Sequence, residues 1–233
     1  MRHVAETVNW PEPAFRDRDE AGERLAEFLR QEGARVDAVL AVPSGGVPVG
    51  RAVADRYGVP LDVVLVRKLP LPGNPEMGFG AVTLDGTVVM NEDVAGAFGL
   101  SKPRAERIMD AVLHGLRERR RHLSGGRSPV EVAGRHVVVV DDGLATGVTM
   151  RAALGELRRR GPAGLSVAVP ASPLRTLDEV GPLADDVYCL LAQRSGSFAV
   201  ASFYVHWYDM SDAEVAEVLR GFGTAEGRAD AGE

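Results

Sequence analysis

The stretch that most constrains this chain is residues 135–150, Arg-His-Val-Val-Val-Val-Asp-Asp-Gly-Leu-Ala-Thr-Gly-Val-Thr-Met. Four consecutive valines leave no polar face, so Val137 to Val140 suit a parallel strand buried on both sides. Two carboxylates, Asp141 and Asp142, stand where that strand ends. Gly143 and Gly147 then permit backbone conformations that other residues resist and leave room for a ligand to approach. Thr146 and Thr149 add hydroxyls. A helix opening near Val148 aims its first N–H groups the same way, which makes an anion cradle suited to a phosphate. A ligand that wants a phosphate nest beside paired acceptors carries a phosphate and neighbouring hydroxyls. A ribose 5-phosphate is the obvious candidate.

The chain on either side has a matching rhythm. Residues 1–14, with Trp10-Pro-Glu-Pro13, read as an extended arm. Ala21, Leu25, Phe28 and Leu29 share a helical face that Gly33 ends, and residues 16–20 read as its solvated start. Residues 36–42 predict a strand that ends in Pro43-Ser44-Gly45-Gly46 and a helix, a second candidate anion cradle. Residues 61–66 predict another strand, ending at Arg67-Lys68. The Pro- and Gly-rich residues 69–77 read as neither strand nor helix interior. Residues 79–83 and 87–90 flank Asp85-Gly86, a hairpin signal. Ala105, Ile108, Met109, Val112 and Leu116 give residues 101–123 a helical stripe behind Ser101 and Pro103, and the run Arg117–Arg121 reads as a solvated, dipole-favoured end. Met150, Ala153, Leu154 and Leu157 form the inward face of the helix after the central motif. A strand at 165–169, a short helix to Val180 and a strand at 187–191 follow, and this alternation argues for an α/β parallel sheet.

Residues 137–149, with hydrophobic strand, paired acids and Gly-x-x-Thr-Gly-x-Thr, resemble the phosphoribosyl-pyrophosphate motif of the type I phosphoribosyltransferases. Receiver domains also carry an Asp-Asp pair after an apolar strand, but early in the domain and without the Gly-x-x-Thr-Gly that follows here. The resemblance extends over roughly residues 15–220 and is nearest to a bacterial branch of unassigned acceptor. It implies a Rossmann-like fold with a flexible loop or β-ribbon and a small C-terminal hood over about residues 193–209. It further implies transfer of a phosphoribosyl group from phosphoribosyl pyrophosphate to a nucleobase-like or other nitrogen acceptor. Asp141 and Asp142 would serve the ribose, and Gly143, Ala145, Thr146, Gly147 and Thr149 the 5-phosphate. Ser44, Gly45 and Gly46 would face the pyrophosphate, with Arg67 and Lys68 reaching it. Many relatives carry a basic residue where this chain has Ser44. Asp141, Asp142 and Lys68 are the catalytic candidates. Residues 69–77 would be the mobile lid. Mg²⁺ would be bound mainly through the donor rather than by a dedicated protein site, and homodimers are common in the family. Two alternatives stay open at this point: a non-catalytic regulator that binds the donor or a nucleotide, and a transferase to an unusual secondary-metabolite acceptor.

Composition narrows the partners. A net charge of −6 over 233 residues argues against a general nucleic-acid surface. The single cysteine, Cys189, lies in an apolar stretch and reads as packed core, excluding an internal disulfide. No apolar run approaches a membrane span, and the N-terminus lacks the apolar region of a secretory signal, so a cytoplasmic protein is expected. Aromatic residues concentrate at Phe198, Phe203, Tyr204, Trp207 and Tyr208. A last helix near 212–220 and a small, polar, disordered tail over 221–233 complete the expectation.

Overall fold

The computed structural model describes residues 1–222, the side chains of residues 75, 76 and 92 apart. In chain order the first elements are β1 (Arg2–Val8), α1 (Arg18–Gln31), β2 (Ala38–Ala41), α2 (Gly46–Tyr57) and β3 (Leu61–Val63). Then come β4 (Val66–Leu71), β5 (Asn74–Thr83), β6 (Val88–Met90), α3 (Glu92–Ala97) and α4 (Lys102–Ser124). The last are β7 (His136–Val140), α5 (Val148–Arg159), β8 (Gly164–Pro173), α6 (Leu174–Val180), β9 (Asp186–Gln193) and α7 (Asp212–Arg220). Six strands form a parallel sheet in the order β1-β9-β8-β7-β2-β3, and β4-β5-β6 form a separate antiparallel ribbon.

The valine run occupies the middle of the sheet because both its faces are covered. Side chains alternate across a strand. Val138 and Val140 therefore join the core built with α1, α2, α4 and α7, while Val137 and Val139 join the core built with α5 and α6. Burying each such valine contributes about 1.5–3 kcal/mol. From β2 the chain crosses to β3 on one side; from β7 it crosses to β8 on the other. The carboxyl ends of β2 and β7 thus flank a topological switch point, where a parallel α/β sheet opens a crevice for ligands.

Three expectations change. Residues 2–8 are an integral edge strand, paired in parallel with β9 from Arg2↔Val187 to Val8↔Gln193. Residues 69–77 are mostly strand rather than an irregular lid: β4 and β5 make a hairpin closed by Gly73 at φ +81°. The ladder tolerates Pro70 because the register shifts on both sides of it, and a bulge is a place where a missing N–H does little harm. At the chain end, Phe222 is buried in the core, so residues 221 and 222 do not belong to the tail expected over 221–233; residues 223–233 lie outside those described. The hairpin at Asp85-Gly86 forms as expected between β5 and β6, with Gly86 at φ +88° and Asp85 accepting from Thr83 Oγ1 and Thr87 N and Oγ1. Cys189 is fully buried, and burial pushes its thiol up to about 12.

Candidate functional site

At the switch point the two glycines after β2 lie directly against the two aspartates after β7. A Cβ on Gly45 would fall 1.8 Å from Asp142 Oδ2, and one on Gly46 would fall 2.8 Å from the Val140 carbonyl and 2.9 Å from Asp141 Cα. Only glycine allows this approach. The Gly46 N–H donates to the Val42 carbonyl at 3.1 Å, so that amide closes the first turn of α2 instead of facing a ligand. The Pro43–Ser44 peptide is cis.

Asp141 and Asp142 are not equivalent. Arg18, at the start of α1, donates from Nε to Asp142 Oδ2 at 2.8 Å and from Nη1 to the Tyr208 carbonyl at 2.7 Å. Its guanidinium carbon lies 3.9 Å from the centre of the Trp207 ring, a cation–π contact. Tyr204 donates its hydroxyl to the Asp142 carbonyl at 2.7 Å. Burial raises the Asp142 carboxyl, and Arg18 opposes that rise. Burial, reinforced by the Asp142 charge, pushes Asp141 well above the carboxylate range. The two neighbouring carboxyls influence each other, so their titration belongs to the pair. Asp141 Oδ1 accepts the Asp142 N–H at 2.9 Å.

The turn after the aspartates has the expected shape. Gly147 caps α5 at φ +69°, where a Cβ would meet Thr176 Cγ2 at 2.9 Å. Gly143 leaves no room for a Cβ against Val200. Thr176 of α6 braces the turn from behind by donating to the Ala145 carbonyl at 2.8 Å. Ala145, Thr146 and Thr149 line one wall of a cavity of about 580 Å³, and the ribbon residues Lys68, Gly78 and Gly80 line the opposite wall. Gly78 makes the Lys68 position feasible, since a Cβ there would stand 2.3 Å from Lys68 Cγ. Among the described residues, Arg151 and Arg175 add two further cations to the wall against one carboxylate, Glu179, which lies 3.7 Å from Arg151. Arg151 Nε is buried without a hydrogen-bond partner among the described residues.

The Arg67-Lys68 pair does not act together. Adjacent residues on a strand point to opposite faces. Lys68 faces the cavity, whereas Arg67 Nη1 lies 3.6 Å from where a Gly115 Cβ would be, against α4. Ser44 stands apart from the cavity, and its hydroxyl accepts Arg119 Nη2 at 2.9 Å.

Sequence reasoning misses the arginines that surround these groups. Arg18 lies in a segment that reads as a solvated helix start, yet its side chain is 7% exposed. Arg119 and Arg120 lie in a run that reads as solvated, yet Arg120 forms a two-bond pair with buried Asp62 at 2.7 and 2.9 Å. Arg151 and Arg175 carry no signal except their place near the start of a helix that follows a strand end. Of the aromatic segment, Phe203 and Tyr204 are core, while Trp207 and Tyr208 stay partly exposed beside Arg18.

Among the described residues no group of three or more His, Cys, Asp or Glu side chains is arranged to hold a metal ion, and no helix is long and apolar enough to cross a membrane.

The profile of the phosphoribosyl transferase domain matches residues 17–193. A Mycobacterium tuberculosis H37Rv protein named "Putative phosphoribosyl transferase Rv0571c" is 38% identical over 205 residues, 88% of this chain and 46% of that protein. The chain thus spans about half the length of the curated relatives it matches. The crystal structure of TT1426 from Thermus thermophilus is 36% identical, covers 90% of this chain and 99% of its own, and superposes with a TM-score of 0.75.

Proposed function

The chain belongs to the phosphoribosyl transferase family, and we propose that it moves the 5-phosphoribosyl group of phosphoribosyl pyrophosphate onto a nitrogen acceptor with release of pyrophosphate. One observation carries this reading. Ala145, Thr146 and Thr149 share a single cavity with Lys68, Arg151 and Arg175, immediately after the paired aspartates. A neutral sugar has no use for cations lining a cavity at a helix N-terminus; a phosphorylated sugar does.

Each part then has a task. The turn through Thr146 and Thr149 anchors the 5-phosphate, and that remote binding energy positions the ring. Asp141 and Asp142 accept hydrogen bonds from the ribose hydroxyls and favour the positive charge that develops on the ring as the pyrophosphate leaves. Arg18 holds Asp142 in place, so the pair need not reorganise during the step. Lys68 meets negative charge from the ribbon side. The ribbon excludes water that would otherwise hydrolyse the donor. A divalent cation fits this arrangement as a companion of the donor. With Asp142 Oδ2 taken by Arg18, the pair does not present a ready set of anionic ligands. The ion would be held by the donor's own oxygens, neutralising the leaving pyrophosphate when bound.

The test supplies phosphoribosyl pyrophosphate and Mg²⁺ with a panel of nucleobases and amines and measures pyrophosphate release. Acceptor-dependent release by the wild type, lost in Asp141→Asn, is the expected result. Tight donor binding with no release under any condition would replace the transferase reading by that of a binding protein.

A further inference from the structure

The turn after β2 contains no cation of its own, since it runs Pro43-Ser44-Gly45-Gly46. A cation is delivered to it from 75 residues away. Arg119, near the C-terminal end of α4, donates from Nη2 to Ser44 Oγ at 2.9 Å. The same guanidinium is held by Asp212, the first residue of α7, with Nε and Nη2 at 2.9 and 2.7 Å from Oδ1. A guanidinium has five N–H donors in a planar fork. Here Nε and Nη2 are used, and the Nη1 donors have no hydrogen-bond partner among the described residues. The Arg119 side chain is 20% exposed and Asp212 41%, so the cluster meets solvent rather than being sealed as Arg120–Asp62 is. A serine hydroxyl that accepts from an arginine still has its own proton to donate, and the bond it accepts polarises it.

We propose that Arg119, acting with the Ser44 hydroxyl, is the pyrophosphate-binding cation of this site, and that Asp212 holds it in register until the anion arrives. The inference rests on the donor reading above. It differs from that reading by assigning the diphosphate end to a residue of α4 instead of the turn's own backbone. It also gives α7 a role. Asp212, the first residue of α7, ties that helix to Arg119.

The test is calorimetric titration of the full chain with magnesium pyrophosphate alone and, separately, with ribose 5-phosphate alone. Arg119→Met is expected to weaken pyrophosphate binding about tenfold or more while ribose 5-phosphate affinity stays at the wild-type value. Arg119→Lys keeps the charge without the fork and should recover part of the loss. Asp212→Asn removes the competitor and should bind pyrophosphate as well as the wild type or better. A purely structural clamp behaves differently: Arg119→Met and Asp212→Asn would lower the melting temperature alike and leave pyrophosphate affinity untouched, and that result overturns the proposal while the transferase reading stands. Should Arg119→Met fail to fold, Arg119→Lys and Asp212→Asn decide by the same comparison. A wild type that binds neither pyrophosphate nor phosphoribosyl pyrophosphate overturns both.

Discussion

The two turns that meet at the switch point are built in opposite ways. The turn after β7 is contiguous: Asp141, Asp142, Thr146, Gly147 and Thr149 lie within a nine-residue span, and Thr176 and Arg18 reach in from elsewhere. The turn after β2 is assembled. Its Ser44 is completed by Arg119 from α4, which is in turn set by Asp212 from α7. A contiguous site depends on local backbone geometry and tolerates change elsewhere. An assembled site depends on the packing of distant helices and is sensitive to their positions. Phosphate binding by local amides and hydroxyls suits the first arrangement, and charge brought by long side chains suits the second.

The largest effect that would test this contrast is chemical. Asp141→Asn combined with Asp142→Asn should lower acceptor-dependent pyrophosphate release by about 10³-fold, in the range of losing preorganised charge stabilisation. Near-wild-type turnover in the double variant would remove the contiguous motif from the reaction. Arg18→Met comes next. It strands a buried carboxylate, and breaking such a pair from one side costs about 3–5 kcal/mol, to be read from urea unfolding; a loss under about 1 kcal/mol would mean that Asp142 relaxes into water. Gly147→Ala must place a Cβ at positive φ and against Thr176, for a cost of about 1–3 kcal/mol together with weaker ribose 5-phosphate binding. Pyrophosphate binding at the other turn should not change in that variant, and a parallel loss would show the two turns to be one unit. Lys68→Ala should cost about tenfold in donor affinity, and Arg67→Ala, on the opposite face of β4, should cost less. Equal effects of the two would contradict their placement on opposite faces.

The smallest expected effect concerns how the ribbon is held on α5. Glu156 lies beside Asp85 and Thr83 of the β5–β6 hairpin, and its Oε2 is buried without a partner among the described residues. Burial, then the Asp85 charge, pushes its carboxyl up to about 7 from a reference of 4.5. Asp85 itself is lowered to about 2: burial works to raise it, but hydrogen bonds from Thr83, Thr87 and Arg159 outweigh that. Because the native state holds the Glu156 proton more tightly than the unfolded chain, its contribution to stability is greatest below about pH 4.5 and is lost as pH rises to about 7. Glu156→Gln should therefore raise the urea midpoint at about pH 8 and leave it nearly unchanged at about pH 5. The opposite pH trend would refute the assignment.

The central strand, the helix from Lys102, the Asp85-Gly86 hairpin and the Gly/Thr-rich turn after the aspartates are legible in the chain because each is encoded by neighbours: period, cap or glycine. The β4–β5 hairpin is hidden because prolines count against a strand locally, while a bulge that accommodates one depends on the partner strand. Residues 2–8 do not read as a strand for a related reason. An edge position beside β9 involves residues 184 positions away in the chain, from Met1 to Asp185 onward.

By itself the sequence determined where the sheet's centre lies, that a Gly/Thr-rich turn opening a helix follows it, and that two carboxylates stand at its end. Hydrophobic period and glycine placement act over a few residues and need no partner to be read. Only the tertiary structure decided which cations serve those groups. A solvated arginine and a site arginine look alike in a string such as Arg117–Arg121, because burial against Asp62, Ser44 or Asp142 is a property of packing and not of composition.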